Sequence, residues 1–223
     1  MMRWTLLALP ALSLVVVGCS SHFGAPLATS DASTLAARNT QSIYPLTKGL
    51  TWRFQTVSRS GDGPERPGPE QFSQVVESEY VLGQVRAVVV RKVGDREFPP
   101  TRAVVDARAV TLSRANTPED GSITVLNFPL DPGRTWPGRS WGAQAQETIT
   151  VVGTESVTVP AGTFEATRTR HRIAYATGTE DLLHYWYVPG IGMVKAIEGL
   201  TVDLGQGPVL QQVTAELKSW GKP

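Results

Sequence analysis

The sequence predicts an all-β fold, on three observations. Beyond Ile43 apolar and polar residues alternate with period two, short clusters of Gly, Pro, Asn and Asp interrupt that alternation, and helical spacing almost disappears. Short connections between consecutive strands imply antiparallel hairpins. About ten such strands in one domain curl or close rather than stay flat, so the expected architecture is a single antiparallel meander wrapped into a half-open or closed barrel.

The expected strands lie near 51–58, 72–82, 85–93, 101–114, 122–128, 144–152, 155–159, 163–175, 180–188, 191–198 and 209–218. Turn signals separate most of them: Gly83-Gln84, Asp95, Pro118 to Gly121, Gly153-Thr154, Thr177-Gly178 and Pro189-Gly190. Between 155–159 and 163–175, Pro160-Ala161-Gly162 forms a three-residue bend that leaves Val159 opposite Thr163. In the run 180–188, Leu182, Trp186 and Val188 share one face and Leu183, Tyr185 and Tyr187 the other. That strand is expected to be covered on both sides or to line a cavity. In the last run Val209, Val213, Ala215 and Leu217 oppose Gln212, Thr214, Glu216 and Lys218, the pattern of a strand with one wet face. Arg59 to Pro69 and Asn116 to Gly121 are polar and rich in Gly or Pro, and read as mobile rim loops.

The N-terminus, MMRWTLLALPALSLVVVGCSS, places Arg3 before an uncharged run from Trp4 to Val17. The run is too short for a spanning helix, which needs about 20 residues, and reads as a secretory signal peptide over 1–18. Residues 19–42, rich in Ser, Ala and Thr, read as a flexible tether, and 43–223 as one β-domain. With 21 Lys and Arg against 20 Asp and Glu, no basic surplus points to nucleic acid. Cys19 is the only cysteine, which argues against a disulfide framework.

Val16-Val17-Gly18-Cys19 resembles the bacterial lipobox. The resemblance implies cleavage before Cys19, diacylglyceryl attachment to its thiol and acylation of the new N-terminus. Two or three acyl chains at ~0.8 kcal/mol per buried methylene would hold the protein on a membrane without spanning it. Ser20 stands where an inner-membrane retention signal usually has Asp, which implies the outer membrane in a diderm and otherwise the outer face of the plasma membrane.

Three further stretches are similar in order and spacing to a broad group of uncharacterised bacterial envelope lipoproteins: Tyr44-Pro45-Leu46 with Gly49 and Trp52, Val157 to Phe164 (VTVPAGTF), and Trp186 to Lys195 (WYVPGIGMVK). The resemblance implies an antiparallel β-domain and no particular reaction. Its curled sheet is also similar to that of lipoprotein carriers, which hold acyl chains against a concave face.

Candidate chemistry is sparse. Arg168, Arg170 and Arg172 occupy alternate positions and share a face, as a stripe able to grip a phosphate or carboxylate or as a solvated outer surface. Tyr185, Trp186 and Tyr187, with Trp52, Trp136 and Trp141, supply either an apolar lining or core. Gly138-Arg139-Ser140-Trp141-Gly142 fits the G-x-S-x-G pattern, with Asp181 and His184 following in hydrolase order, but turn-like residues precede Ser140 and a strand-like run follows it. His22, His171 and His184 do not stand at metal-ligand spacing; the last two are expected to face each other across a hairpin near Thr177. No metal or other cofactor is expected. The reading is a non-enzymatic, membrane-anchored lipoprotein of the cell envelope that binds an amphipathic or lipid-like ligand or a partner protein, using Arg168, Arg170, Arg172, Tyr185, Trp186 and Tyr187. Its rival is a structural or interaction module with a filled core.

Overall fold

The computed structural model describes residues 43–114, 121–203 and 207–223. The signal segment, Cys19, the tether and most of the 116–121 loop lie outside the described residues. Those described form thirteen strands and no helix: β1 (Thr51–Ser60), β2 (Arg66–Pro67), β3 (Gln71–Val81), β4 (Gln84–Val93), β5 (Arg96–Val105), β6 (Ala109–Arg114), β7 (Ile123–Asn127), β8 (Thr135–Ser140), β9 (Ala145–Val159), β10 (Gly162–Tyr175), β11 (Glu180–Val188), β12 (Gly192–Asp203) and β13 (Pro208–Gly221).

They pair antiparallel in the order β7-β6-β5-β4-β3-β1-β13-β12-β11-β10-β9-β8, with β2 set against β1. The first and last long strands are neighbours, from Thr51 opposite Gly221 to Ser60 opposite Gln211. β7 and β8 lie at the two ends of this path and meet through side chains instead of a ladder. Trp136 Nε1 donates to the Thr124 carbonyl at 2.7 Å, and Arg134 Nη2 donates to Asn127 Oδ1 at 3.1 Å. The sheet is therefore a nearly closed barrel with one side-chain seam.

The differences from the predicted elements have local causes. The expected single run 101–114 is two strands, because Asp106 Oδ1 accepts the main-chain N–H of Arg108 (2.7 Å) and Ala109 (2.9 Å) and turns the chain. β8 carries Pro137 and Gly138, which hide its alternation; proline is tolerated there because the strand lies at the end of the ladder path. Gly153-Thr154 is not a turn. β9 runs straight through it, leaving Val152 as an unpaired bulge residue between partners of Arg168 and Thr169. The segment 59–69 is tied down: β2 pairs with Val57 and Ser58, Gly68 N donates to Thr56 O at 2.8 Å, and Thr56 Oγ1 donates to Pro69 O at 2.7 Å. Proline and glycine erased its periodicity without removing its main-chain hydrogen bonds.

The VPAGTF hairpin is tighter than expected. Val159 lies opposite Gly162, not Thr163, so Pro160-Ala161 alone make the turn, and Gly162 takes a positive φ of 139°. β10 pairs with β11 only over Thr167 to Ala174, so the hairpin tip overhangs the end of β11. It crosses to β13, where Ala161 N donates to Leu217 O at 2.9 Å and the Phe164 ring meets the edge of Trp220 at 5.8 Å. Val157, Val159 and Ala166 are buried by this crossing.

The other two family-like stretches meet each other. Trp52 Nε1 donates to the Ile191 carbonyl at 2.6 Å, and Pro45 and Trp52 pack beside Gly192. Leu46, from the segment before β1, is fully buried together with Val75, Val110, Leu126, Ile149, Val151, Val194 and Leu217. At about 1.5–3 kcal/mol per large apolar side chain, this set spans the strands of both halves and holds the barrel around one core.

Candidate functional site

Every candidate ligand residue takes its direction from β10 and β11. Thr169, His171 and Ile173 are buried, so Arg168, Arg170 and Arg172 face the opposite way, outward. The register sets Arg168 opposite Trp186 and Arg170 opposite His184, which turns Trp186 and His184 outward as well. Tyr185 and Tyr187 lie opposite Thr169 and Thr167 on the inner face. The six predicted ligand residues are thus divided between two sides of the sheet. His171 and His184 are divided too, inside and outside, and do not face each other as expected.

On the outer face the cations roof an indole. The Arg168 guanidinium stands 5.2 Å from the Trp186 ring centre and Lys195 Nζ 5.9 Å from it. Trp186 Nε1 donates to Glu155 Oε1 at 2.6 Å, Arg168 Nη1 lies 3.7 Å from the same oxygen, and Lys195 Nζ donates to Glu216 Oε1 at 2.8 Å. Trp186 lies on the strand face opposite Tyr185 and Tyr187, and is nonetheless 6% exposed and part of the buried apolar cluster. Arg168 Nε donates to His184 Nδ1 at 3.3 Å. Burial, then the positive fields of Arg168 and Arg170, lower the His184 pKa and favour the neutral ring that can accept this bond. Arg172 is paired with Glu180. Arg170, like Arg172, is exposed, whereas Arg168 is half-buried.

The inner face holds a polar network that sequence reasoning missed. His171 Nδ1 and Glu147 Oε1 are 2.8 Å apart, both side chains are buried, and Glu147 Oε2 accepts the Arg139 N–H at 2.8 Å. Burial pushes the Glu147 pKa up, but the hydrogen bonds from His171 and from the Arg139 amide outweigh it, and the carboxyl stays below its ordinary range. The His171 ring meets Tyr185 edge-on at 4.6 Å; Tyr185 in turn donates to Glu198 Oε1 at 2.9 Å. Burial, then Glu198, pushes the Tyr185 hydroxyl well up; burial alone dominates at Tyr187, which packs against Tyr44 at 6.4 Å. Thr169 Oγ1 lies 3.4 Å from His171 Nε2, completing a hydroxyl–imidazole–carboxylate line. Thr169 has no exposed surface. One signal for the pair was present: Glu147 interrupts the inward stripe Ala145, Ile149, Val151.

Ser140 lies on a strand, not on an elbow. Its hydroxyl accepts from Gln146 Nε2 at 2.7 Å, and its row across β9 and β10 ends at Glu180, four residues from His184. Asp181 accepts from Tyr175 OH and from the Thr201 amide. The glycine of the pattern has a packing reason: a Cβ on Gly138 would come within 2.6 Å of the Glu147 carboxyl. Among the described residues no three His, Cys, Asp or Glu side chains gather as a metal set. Trp52 and Trp136 are core, whereas Trp141 is 42% exposed. A shallow open hollow of about 330 Å³ lies outside the barrel, lined by Arg53, Phe72, Trp220 and Lys222 among others.

Residues 147–198 match the DUF3108-like family model. The match runs from Glu147 on β9 to Glu198 on β12, and so spans the inner network and the outer cage. Among solved structures, an exported protein with a YmcC-like fold from Bacteroides fragilis is similar at 16% identity and a TM-score of 0.53, over 80% of this chain and 98% of that one. A lipoprotein from Parabacteroides distasonis is 17% identical with a TM-score of 0.49, over 81% and 99% of the two chains. The hypothetical lipoprotein YmcC of Escherichia coli is 14% identical with a TM-score of 0.31, over 87% and 100%. The first of these shows that the chain has a YmcC-like fold. No curated protein matches the chain.

Proposed function

We propose that the chain is a bacterial cell-envelope lipoprotein, acylated at Cys19, whose barrel is a non-enzymatic interaction module with a filled core. In a diderm it sits on the outer membrane, and otherwise on the outer face of the plasma membrane. The observation that carries this reading is the fate of the aromatic residues. Tyr185 and Tyr187 are engaged inside by His171, Glu198 and Tyr44, and Trp186 is buried on the opposite face of β11 under Arg168 and Lys195. A chamber for an acyl chain would need them on one lining. What the barrel offers a protein partner is its outer face, where Leu182, opposite Arg172, and Leu210, beside Gly199, are each 46% exposed.

A photo-crosslinking residue at Leu182 or Leu210, in cells, is expected to recover a defined envelope protein. Native mass spectrometry of the purified protein is expected to show no lipid inside the barrel. A lipid bound one to one and lost in Tyr187→Trp would overturn the filled-core reading in favour of a carrier.

A further inference from the structure

The hollow beside the end of β13 belongs to neither the inner network nor the outer cage. It is lined by Thr51, Arg53, Phe72, Gln74, Ser219, Trp220, Gly221, Lys222 and Pro223. Its side-chain charges, Arg53 and Lys222, are both positive and exposed. Among the described residues neither meets a carboxylate, whereas Lys218 nearby already lies 3.8 Å from Glu70. The Arg53 guanidinium stands 4.9 Å over the Phe72 ring, and Trp220, with Phe164 against it, keeps 40% of its surface exposed.

The geometry points to a docking surface for an anionic bilayer, with Arg53 and Lys222 meeting lipid phosphates and Trp220 entering the headgroup layer. Aromatic rings with a wet edge, flanked by exposed cations, suit the interface between acyl chains and water. The hollow is shallow and open, which fits a headgroup better than an enclosed acyl chain. Its position agrees with the anchor: the packed segment 43–50 leads directly into Thr51, which is both the first residue of β1 and part of the lining, so the tether joins the domain within eight residues of the hollow. Cys19 lies 24 residues before Ile43, which keeps the domain within about 80 Å of the bilayer that holds the acyl chains. At that range a contact too weak to recruit a free protein still orients a tethered one. This inference adds an orientation to the proposed lipoprotein and borrows the anchor only for that purpose.

The test uses the chain from Ser20 to Pro223, which contains all thirteen strands and carries no acyl group. It is sedimented with phosphatidylcholine vesicles with and without phosphatidylglycerol. Binding is expected only with phosphatidylglycerol and is expected to fall with added salt. Arg53→Ser and Lys222→Ser should each weaken it about fivefold, and both together about thirtyfold. Trp220→Ala should weaken it on its own, while Arg102→Ser, an exposed cation on β5, should leave it unchanged. Equal binding to both vesicles, no binding to either, or an equal loss in Arg102→Ser would overturn the docking surface. Mass analysis of the full exported chain reads the anchor separately; an unacylated Cys19 would remove the anchor and leave the vesicle result standing.

Discussion

Glu147 shows how a single charged residue can be kept inside a β-barrel. Its two oxygens are used by the His171 ring and the Arg139 amide, and Gly138 leaves the space in which the carboxyl sits. Hydrogen bonds to a charged group are worth about 1.5–3 kcal/mol each, and Glu147→Gln, which replaces the carboxylate that takes two of them, is expected to lose stability of that order in urea unfolding near neutral pH. The pH dependence has a definite sign. A carboxyl whose pKa is lowered by folding contributes stability above its ordinary value of 4.5, and that contribution fades as pH falls through the folded value. Glu147→Gln should therefore also flatten the acid arm of the stability curve. Tyr175 works at the other end of the scale. Its hydrogen bond to Asp181, helped by burial, pushes its pKa up to about 12 from 10. The associated stability is complete below pH 10 and is lost between 10 and 12. Unfolding midpoints of Tyr175→Phe should lose that alkaline slope.

At the scale of elements, the hairpin of β9 and β10 and the seam between β7 and β8 carry the most specific interactions. Gly162 holds a φ of 139°, and a Cβ there would approach the Phe164 ring at 3.3 Å. Gly162→Val is expected to cost about 1–3 kcal/mol and to free the tip from Leu217, seen as faster exchange of the Ala161 amide. Ala161→Ser should be nearly silent, since the turn asks nothing of that side chain. At the seam, Trp136→Phe removes the bond to the Thr124 carbonyl while keeping an aromatic ring in the core. Losing one buried partner should cost about 1–3 kcal/mol and raise hydrogen exchange first in β7. Equal exchange along β7 and β12 in that variant would show that the seam does not close the barrel. Both elements were partly legible. The turn was found from Pro160 and Gly162, but its register was one residue off, because proline, alanine and glycine fit a two-residue loop as readily as a three-residue one. β8 was missed because Pro137 and Gly138 carry no alternation.

At the scale of the molecule, closure depends on residues far apart in the chain. β1 and β13 pair over about 170 residues of intervening sequence, and the segment before β1 contributes Leu46 to the core. Such long-range pairing pays loop-closure entropy before it gains contacts, so refolding should be slow for the size of the domain. A chain ending at Gly207 would leave both β1 and β12 with open edges. It is expected to aggregate or unfold, by circular dichroism and sedimentation, more completely than any single substitution above.

The alternation of residues and the turn chemistry by themselves determined an antiparallel meander and most of its strands. For β11 they left two outcomes, cover on both faces or a cavity lining; the structure buries Trp186 and Tyr187 on opposite faces at one end of the strand and leaves Leu182 exposed at the other. They further determined that Arg168, Arg170 and Arg172 share one face, since period two is local geometry. Which face is the interior was decided only by the tertiary structure. Both faces of β10 carry groups that can titrate, and the inside is whichever one the closing sheet covers. Closure placed His171 and the tyrosines within and the arginines without, and so separated residues that lie one position apart in the chain. It also brought Arg53 and Phe72 beside Trp220 and Lys222, a neighbourhood that exists only because the first strand pairs with the last.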